Sequence, residues 1–347
     1  MSVTPPKNPP PPAPLARKRL RPADTLFHAA VLAAVLIALA VLVWLLVSIT
    51  VAGAGALDWG FITGKVSTRP ERAGFSSAIR GSLMLMLITF AVAIPLGFAA
   101  AIYLEKFANL TREQLLSRAL RQRRRLTEMR SRGVGGTQLA RQRITVARSF
   151  AWARIGPRTN RIVEVNISNL AAVPSIVYGL LGLAVFVSFA GLRKSLLAGG
   201  LTLALLVLPI IIIASREAIR AVPISIEQGA MALGASRWQA VSRQVVPAAL
   251  PGMLTGTILA LSRAIGESAP LIVVGGVVFG TQVPSINPLE ANDTALFAMP
   301  LQIFFWAQDP RASFQELAAA GIIVLLVVLV VMNLVAIVLR NRFQRRW

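Results

Sequence analysis

Two opposite charges stand four residues apart in a long apolar stretch. Arg263 and Glu267 are the only ionisable side chains between Gly252 and Phe279. Counted from Gly252 as the start of a membrane helix, Arg263 lies 11 residues in. That is roughly 17 Å, about half the thickness of bilayer hydrocarbon. A guanidinium there costs about 2.5–3.5 kcal/mol on insertion scales, so it is expected to face a water-filled path or a partner. It also presents paired donors that match an oxyanion and replace the water such an ion sheds. Glu267 falls on the same helical face at i,i+4 spacing. From there it holds Arg263 and competes with the anion, keeping binding weak enough for release. The spacing equally fits a static ion pair that fixes helix packing, and both readings stay open at this level.

Other chemistry is scarce. The chain has no cysteine, which excludes disulfides and thiolate metal sites. His28 is the only histidine, which excludes multi-histidine metal sites and leaves little material for a histidine-based catalytic centre. Gly60 and Gly64 precede Lys65, but the spacing is too short for a nucleotide-binding loop, and Val66 stands where Ser or Thr is needed. No catalytic residue, metal ligand or cofactor is expected in this chain.

The elements that carry the charged pair follow from composition. Hydrophobic residues make up 55% and charged residues 14%, against about 25% charged in a soluble domain. The apolar residues gather in blocks of roughly 20 or more, long enough to cross a bilayer as helix. An all-α, polytopic membrane protein with six transmembrane helices is predicted. The spans are Leu26–Val51, Ile79–Leu104, Ile167–Ala190, Leu196–Ala214, Gly252–Phe279 and Leu317–Leu339. Ala52-Gly53-Ala54 has the small residues of a signal-cleavage site, but the block before it far exceeds the apolar core of a signal peptide, so an uncleaved anchor is expected.

Charge sets the expected orientation. Residues 105–165 hold fifteen Lys or Arg against four Glu, half of the net charge of +22, and the C-terminal tail adds Arg340, Arg342, Arg345 and Arg346. The loop before the sixth span carries Glu290, Asp293 and Asp309 against Arg311. Lys and Arg stay on the cytoplasmic side, which places both termini, the basic loop and the loop after the fourth span there. Arg193 and Lys194, in a short outer turn, run weakly against the rule. Retention of basic residues beside membrane helices accounts for the charge without nucleic acid, for which no recognition motif is present.

Five regions result: a Pro-rich and basic tail over 1–25, two spans over 26–104, a basic insertion over 105–165, spans three to six over 166–339, and a basic tail over 340–347. Pro5 to Pro14 should be extended and solvated. The insertion reads as a helical hairpin. Thr111 with Gln114 fits a capping box, Leu115, Leu116, Ala119, Leu120 and Leu126 follow at near-helical spacing, and Gly133 to Gly136 makes the break. Its basic face is either a solvated surface lying on lipid headgroups or a docking surface.

The loop at 215–251 carries a second kind of function. A short helix is predicted from about Ser225, a turn at Gly234, and a second helix with Ser236 as N-cap. Pro247 and Pro251 are expected to break that helix just before the fifth span. Gly229 and Ala230 leave one face open to close approach. A rigid pair of helices between two membrane spans is suited to passing a push from a partner into those spans.

This segment resembles the EAA loop of ABC importer permeases. The family glutamate falls on Gln228 with Glu227 beside it, the first alanine is Gly229, and Gln244 and Val246 replace later Ile and Leu positions. Ala230, Gly234 and Pro247 match. Asn166 to Gly179, with Ala172-Val173-Pro174-Ser175, resembles the start of the third span of phosphate permeases. Arg263-Ala264-Ile265-Gly266-Glu267-Ser268-Ala269-Pro270 resembles their fifth-span motif. Pro300 to Trp306 and Asn333 to Trp347 are similar to the A-type (PstA) subunits. The likeness covers nearly the whole chain except the N-terminal prolines and about Phe107 to Pro157.

The resemblance implies a type I ABC importer permease fold in the bacterial cytoplasmic (inner) membrane. It implies four partners: a second, PstC-like permease, a PstB-like ATPase dimer that binds the ATP and Mg, a PstS-like extracytoplasmic phosphate-binding protein, and membrane lipid. Arg263 and Glu267 would line the substrate pathway. Glu227, Gln228, Gly229, Ala230, Gly234, Arg237 and Pro247 would form the ATPase coupling element. Sulfate or molybdate permeases share the arginine chemistry. A channel or secondary transporter without an ATPase would need inverted repeats or more spans, and neither is visible.

Overall fold

Lipid offers no partner for backbone N–H and C=O groups, so apolar spans must pair them internally. The computed structural model of the chain describes residues 22–108, 112–131, 136–276 and 295–343. Among the described residues nearly every segment is helical, with one isolated β-bridge between Ser195 and Ala295. The α-helices are α1 (Pro22–Gly53), α2 (Trp59–Thr63), α3 (Ser76–Ile102), α4 (Arg112–Ser131), α5 (Gly136–Ala171), α6 (Ser175–Gly182) and α7 (Leu196–Arg220). They continue as α8 (Ile224–Ala232), α9 (Arg237–Ala240), α10 (Val246–Gly266), α11 (Ala269–Val274), α12 (Met299–Gln308) and α13 (Ala312–Phe343). Wider π turns extend α3 over Tyr103–Ala108, extend α6 over Leu183–Phe189, and join α9 to α10 over Val241–Val245.

Five continuous helices are long and apolar enough to cross a membrane: Leu26–Ala56, Ser76–Ala108, Leu196–Arg220, Arg237–Ile265 and Ala312–Arg342. A sixth span results if the bent pair Ile162–Ala171 and Ser175–Phe189 is counted as one. The all-α, polytopic architecture is as the apolar blocks require. Contacts divide the chain into two units, Met1–Val51 and Ala52–Trp347. The first contains most of α1, whose apolar residues are exposed around its whole circumference.

The second unit is built around α7, which packs against α3 on one side and α10 on another. Small residues allow the close approach. A Cβ on Gly252 or Gly256 of α10 would lie 2.8 or 2.2 Å from the Cβ of Ala218 or Ala214 on α7. Two small residues four apart thus meet two small residues four apart, the pattern that lets membrane helices touch through their backbones. On the other side, the buried Thr89 hydroxyl of α3 donates to the Gly200 carbonyl at 3.1 Å. At the far end from the α8–α9 loop, Phe61, Phe75, Trp306 and Phe314 form one aromatic cluster, with Phe61 stacked on Phe75 at 5.4 Å.

Several expectations are corrected. The third span is not one helix over Ile167–Ala190: it bends by 105° between α5 and α6. Pro174 has no N–H for a helical bond and pushes the preceding Val173 out of helical geometry. The boundary at 165 is absent too, because α5 runs unbroken from the insertion into the third span. Pro247 and Pro251 do not break the fifth span. Pro247 sits in the first turn of α10, where a missing N–H is harmless. The π turn before it takes up the misfit, so the helix runs essentially from Arg237. The fifth span then ends at Gly266 rather than running on to Phe279. The ends of the 215–251 loop accordingly belong to α7 and α10. Residues 1–21, Thr111, Gly133 to Gly135, Glu290, Asp293, Arg345 and Arg346 lie outside the described residues.

Candidate functional site

Two places bring the candidate residues together. The first is where the two interrupted spans meet. α6 follows the break at Pro174, α11 follows the break at Glu267 and Ser268, and the two short helices pack on each other. Gly179 makes this possible, since a Cβ there would lie 2.8 Å from Pro270 Cα. The Tyr178 hydroxyl donates to the Leu170 carbonyl at 2.7 Å, bracing the first break.

Arg263 occupies the last turn of α10, beside this junction. Its Nε donates to Glu267 Oε1 at 3.2 Å. Glu267 is not on the helix one turn further out, as i,i+4 spacing implied. It is the extended C-cap residue (φ −80°, ψ 109°), and its side chain turns back to reach Arg263. The origin used to count its depth is corrected, not the depth itself. Gly252 is not the helix start, so counting residues from it has no footing. Packing gives a better measure. Gly252 faces Ala218 and Gly256 faces Ala214. Continuing that antiparallel register puts Arg263 about level with Val207, at the middle of α7 (Leu196–Arg220). The guanidinium is therefore at mid-height of the central helix. Its side chain is 49% exposed while that of Glu267 is 17% exposed. Leu259, Arg263 and Gly266 share the open face of α10.

The second place is the α8–α9 loop. Ser236 caps α9 in a reciprocal capping box with Gln239, its hydroxyl accepting from the Gln239 N–H at 3.3 Å. Gly234 joins the two helices with φ +89°, a left-handed conformation that other residues adopt only under strain. Of the candidate acids and amides, Glu227 is buried and Gln228 exposed. Glu227 accepts from Lys106 Nζ at 2.8 Å and lies 3.6 Å from Arg237 Nε. Arg237 also donates to the Lys106 carbonyl and lies over the Phe107 ring, which in turn meets Trp238. Gly229, Gly234 and Pro247 are exposed and Ala230 partly so. Leu233 is 93% exposed, and Ile224, Met231 and Trp238 are exposed beside it. The loop thus presents apolar side chains outward from a base clamped by a buried ion pair.

Sequence reasoning missed that clamp. Lys106 and Phe107 belong to the π turn after α3, and the neighbouring Glu105 binds Arg216 at 3.3 Å and Arg220 at 3.1 Å. Arg216 also binds Glu164 of α5 at 2.6 Å. These ion pairs tie α3, through its π extension, to α5, α7 and α8 at one end of the unit. The signal available was Glu105-Lys106 directly after an apolar block, read only as bulk charge.

Comparison with known proteins bears on both places. The family described as "Binding-protein-dependent transport system inner membrane component" matches residues 144–347. The chain is 27% identical to the probable ABC transporter permease protein YqgI of Bacillus subtilis (strain 168), over 86% of this chain and 88% of that protein. It is 33% identical to phosphate transport system permease protein PstA 1 of Mycobacterium tuberculosis (strain CDC 1551 / Oshkosh), over 54% of this chain and 60% of that one. With phosphate transport system permease protein PstA of Xylella fastidiosa (strain Temecula1 / ATCC 700964) it shares 27% identity, over 84% of this chain and 83% of that protein.

Proposed function

Because this chain belongs to the binding-protein-dependent transport system inner membrane components, we propose that it is the permease subunit of an ATP-driven phosphate importer. The similar proteins named as phosphate transport permeases support the substrate. One observation carries the chemistry: a guanidinium at mid-height of the central helix, held through Nε alone among the described residues and half exposed on an open helix face. Such a group has donors left for an oxyanion, and Glu267 competes for it, so that binding is reversible.

In this reading the chain forms half of the translocation path. A second, PstC-like permease supplies the other half against the open face of α10. A PstB-like ATPase dimer binds the ATP and Mg and performs the hydrolysis, so this chain has no catalytic role. It seats on the α8–α9 loop, where Leu233, Trp238, Met231 and Ile224 offer an apolar contact. A PstS-like binding protein delivers phosphate from outside, and both termini lie in the cytoplasm of a bacterial cell, as the basic segments favour. Closure of the ATPase pair pushes α8, and the Lys106–Glu227 clamp carries the push to α3.

The competing reading is a static Arg263–Glu267 pair, favoured by the 3.2 Å contact itself. The neutral double variant Arg263→Gln with Glu267→Gln separates them in the reconstituted four-component importer. A static pair replaced by two neutral, hydrogen-bonding side chains leaves uptake of labelled phosphate intact. A pathway arginine does not, and uptake should fall at least about tenfold while assembly is unchanged. Parallel uptake of sulfate and molybdate identifies the oxyanion.

A further inference from the structure

We propose that the α4–α5 hairpin is an arm that grips an acidic face of the ATPase subunit seated on the α8–α9 loop, using the arginines of its distal half. The proposal rests on that loop being the ATPase seat, and the experiment below separates the two.

The hairpin is rooted at the coupling loop. α4 follows the π turn whose Lys106 binds Glu227 and whose Phe107 touches Arg237 and Trp238. α5 is anchored by Glu164 on Arg216 of α7. The arm is also a packed unit. In its distal half Gln122, Leu126 and Met129 of α4 and Leu139, Gln142 and Val146 of α5 are partly buried, at the three- and four-residue steps of helices packed face to face. The remaining described positions there are exposed. Among them are Arg123, Arg124, Arg125, Arg130, Arg141 and Arg143, against the single acid Glu128.

Direction decides between a membrane and a protein as the ligand. Glu164 pairs with Arg216, and Ile167 packs with Ile212 and Leu208, so this end of α5 runs antiparallel to α7. Continued backwards, α5 leaves the end of α7 and moves away from the apolar spans. Arg143 is 21 residues before Glu164, about 30 Å of helix. Charges on headgroups are screened within about 8–10 Å at ordinary ionic strength. The distal arginines therefore stand several screening lengths beyond the bilayer. An arm of 30–40 Å from the coupling loop spans about the diameter of a small domain, the space a subunit docked there would fill. The hairpin's cations are all arginine, with no lysine between Arg112 and Arg161. The planar guanidinium fork pairs with carboxylates in a fixed geometry that an ammonium does not offer.

The test uses the full complex in nanodiscs of neutral lipid and of lipid with about one-third anionic headgroups. Affinity of the ATPase subunit is measured for the wild type and for a variant with Arg123, Arg124, Arg125, Arg141 and Arg143 each changed to Gln. Glutamine is a comparable helix former at exposed positions, and helicity is checked by circular dichroism. The expected result is at least about tenfold weaker binding at 0.15 M salt, equal in both lipids, with the difference shrinking at 0.5 M salt. Since the chain has no cysteine, a photo-crosslinker on Gln138→Cys is expected to capture the ATPase subunit. Unchanged affinity in the five-site variant overturns the proposal. So does an effect seen only in anionic nanodiscs. Leu233→Asp tests the seat itself. If it abolishes ATPase binding while the five-site variant does not, only the arm fails; if it has no effect, the coupling reading fails first.

Discussion

Replacing Lys106 with Met removes one charge of the clamp under the α8–α9 loop and leaves its partner buried. Glu227 and Lys106 are 10% and 14% exposed at the side chain, with 2.8 Å between their charged atoms. Breaking a fully buried pair from one side costs about 3–5 kcal/mol. Arg237 remains 3.6 Å from Glu227, and residual water reaches both groups, so about 2 kcal/mol is the fitting estimate here. At 1.4 kcal/mol per tenfold, the docked state of the loop becomes about 30-fold less favoured. Hydrogen exchange of the amides from Ile224 to Ala240, measured on the complex in nanodiscs, should accelerate by about that factor. Phosphate moved per ATP hydrolysed should fall with it. The double variant Lys106→Met with Glu227→Gln leaves no unpaired carboxylate in the clamp, and should recover most of the lost protection. Equal exchange in wild type and Lys106→Met, or a double variant no better protected than the single one, would refute the clamp.

Gly234→Val should uncouple hydrolysis from uptake through backbone strain alone, about 1–2 kcal/mol, because nothing lies within 4 Å of its added Cβ. Gly234→Asn tolerates the left-handed turn and should retain coupling; equal behaviour of Val and Asn would remove the turn from the mechanism. Glu267→Gln relieves the competition for Arg263, so KM for phosphate should fall together with turnover. A loss of complex stability with KM unchanged would instead mark the pair as structural.

The fold was legible where the physics is local. Apolar blocks of bilayer length follow from single-residue transfer preferences. Breaks and continuations were harder to read. Pro174 does interrupt its helix, whereas Pro247 and Pro251, equally suspect, lie in a helix that continues. The difference is position. Pro247 begins a helical segment and is preceded by a π turn, and a π turn is set by packing rather than by any residue type. The Gly252–Gly256 pair facing Ala214 and Ala218 was readable as small residues four apart. Partners in tertiary space were not. Glu227 and Lys106 are 121 residues apart, and only the return of α8 against the end of α3 makes one the partner of the other. The motif's glutamate register points to Gln228, which is exposed, whereas the neighbouring Glu227 is the buried one.

The interruption of α10 at Gly266 explains how a charge is held at mid-height at all. A helix that ends inside the spans exposes its last carbonyls, and these form the negative end of the helix dipole. Arg263 sits in that last turn, where a cation is favoured, with Glu267 folded back from the cap position. An unbroken helix would offer Arg263 the carboxylate but no free carbonyl end. The same interruption frees α11 to pack on α6, bringing the two broken spans together through Gly179 and Pro270. One set of backbone breaks therefore both stabilises the guanidinium and forms the joint beside it. Movement at that joint would change the surroundings of Arg263 without unfolding either long helix, which is the mechanical requirement for an anion site that must open alternately to two sides.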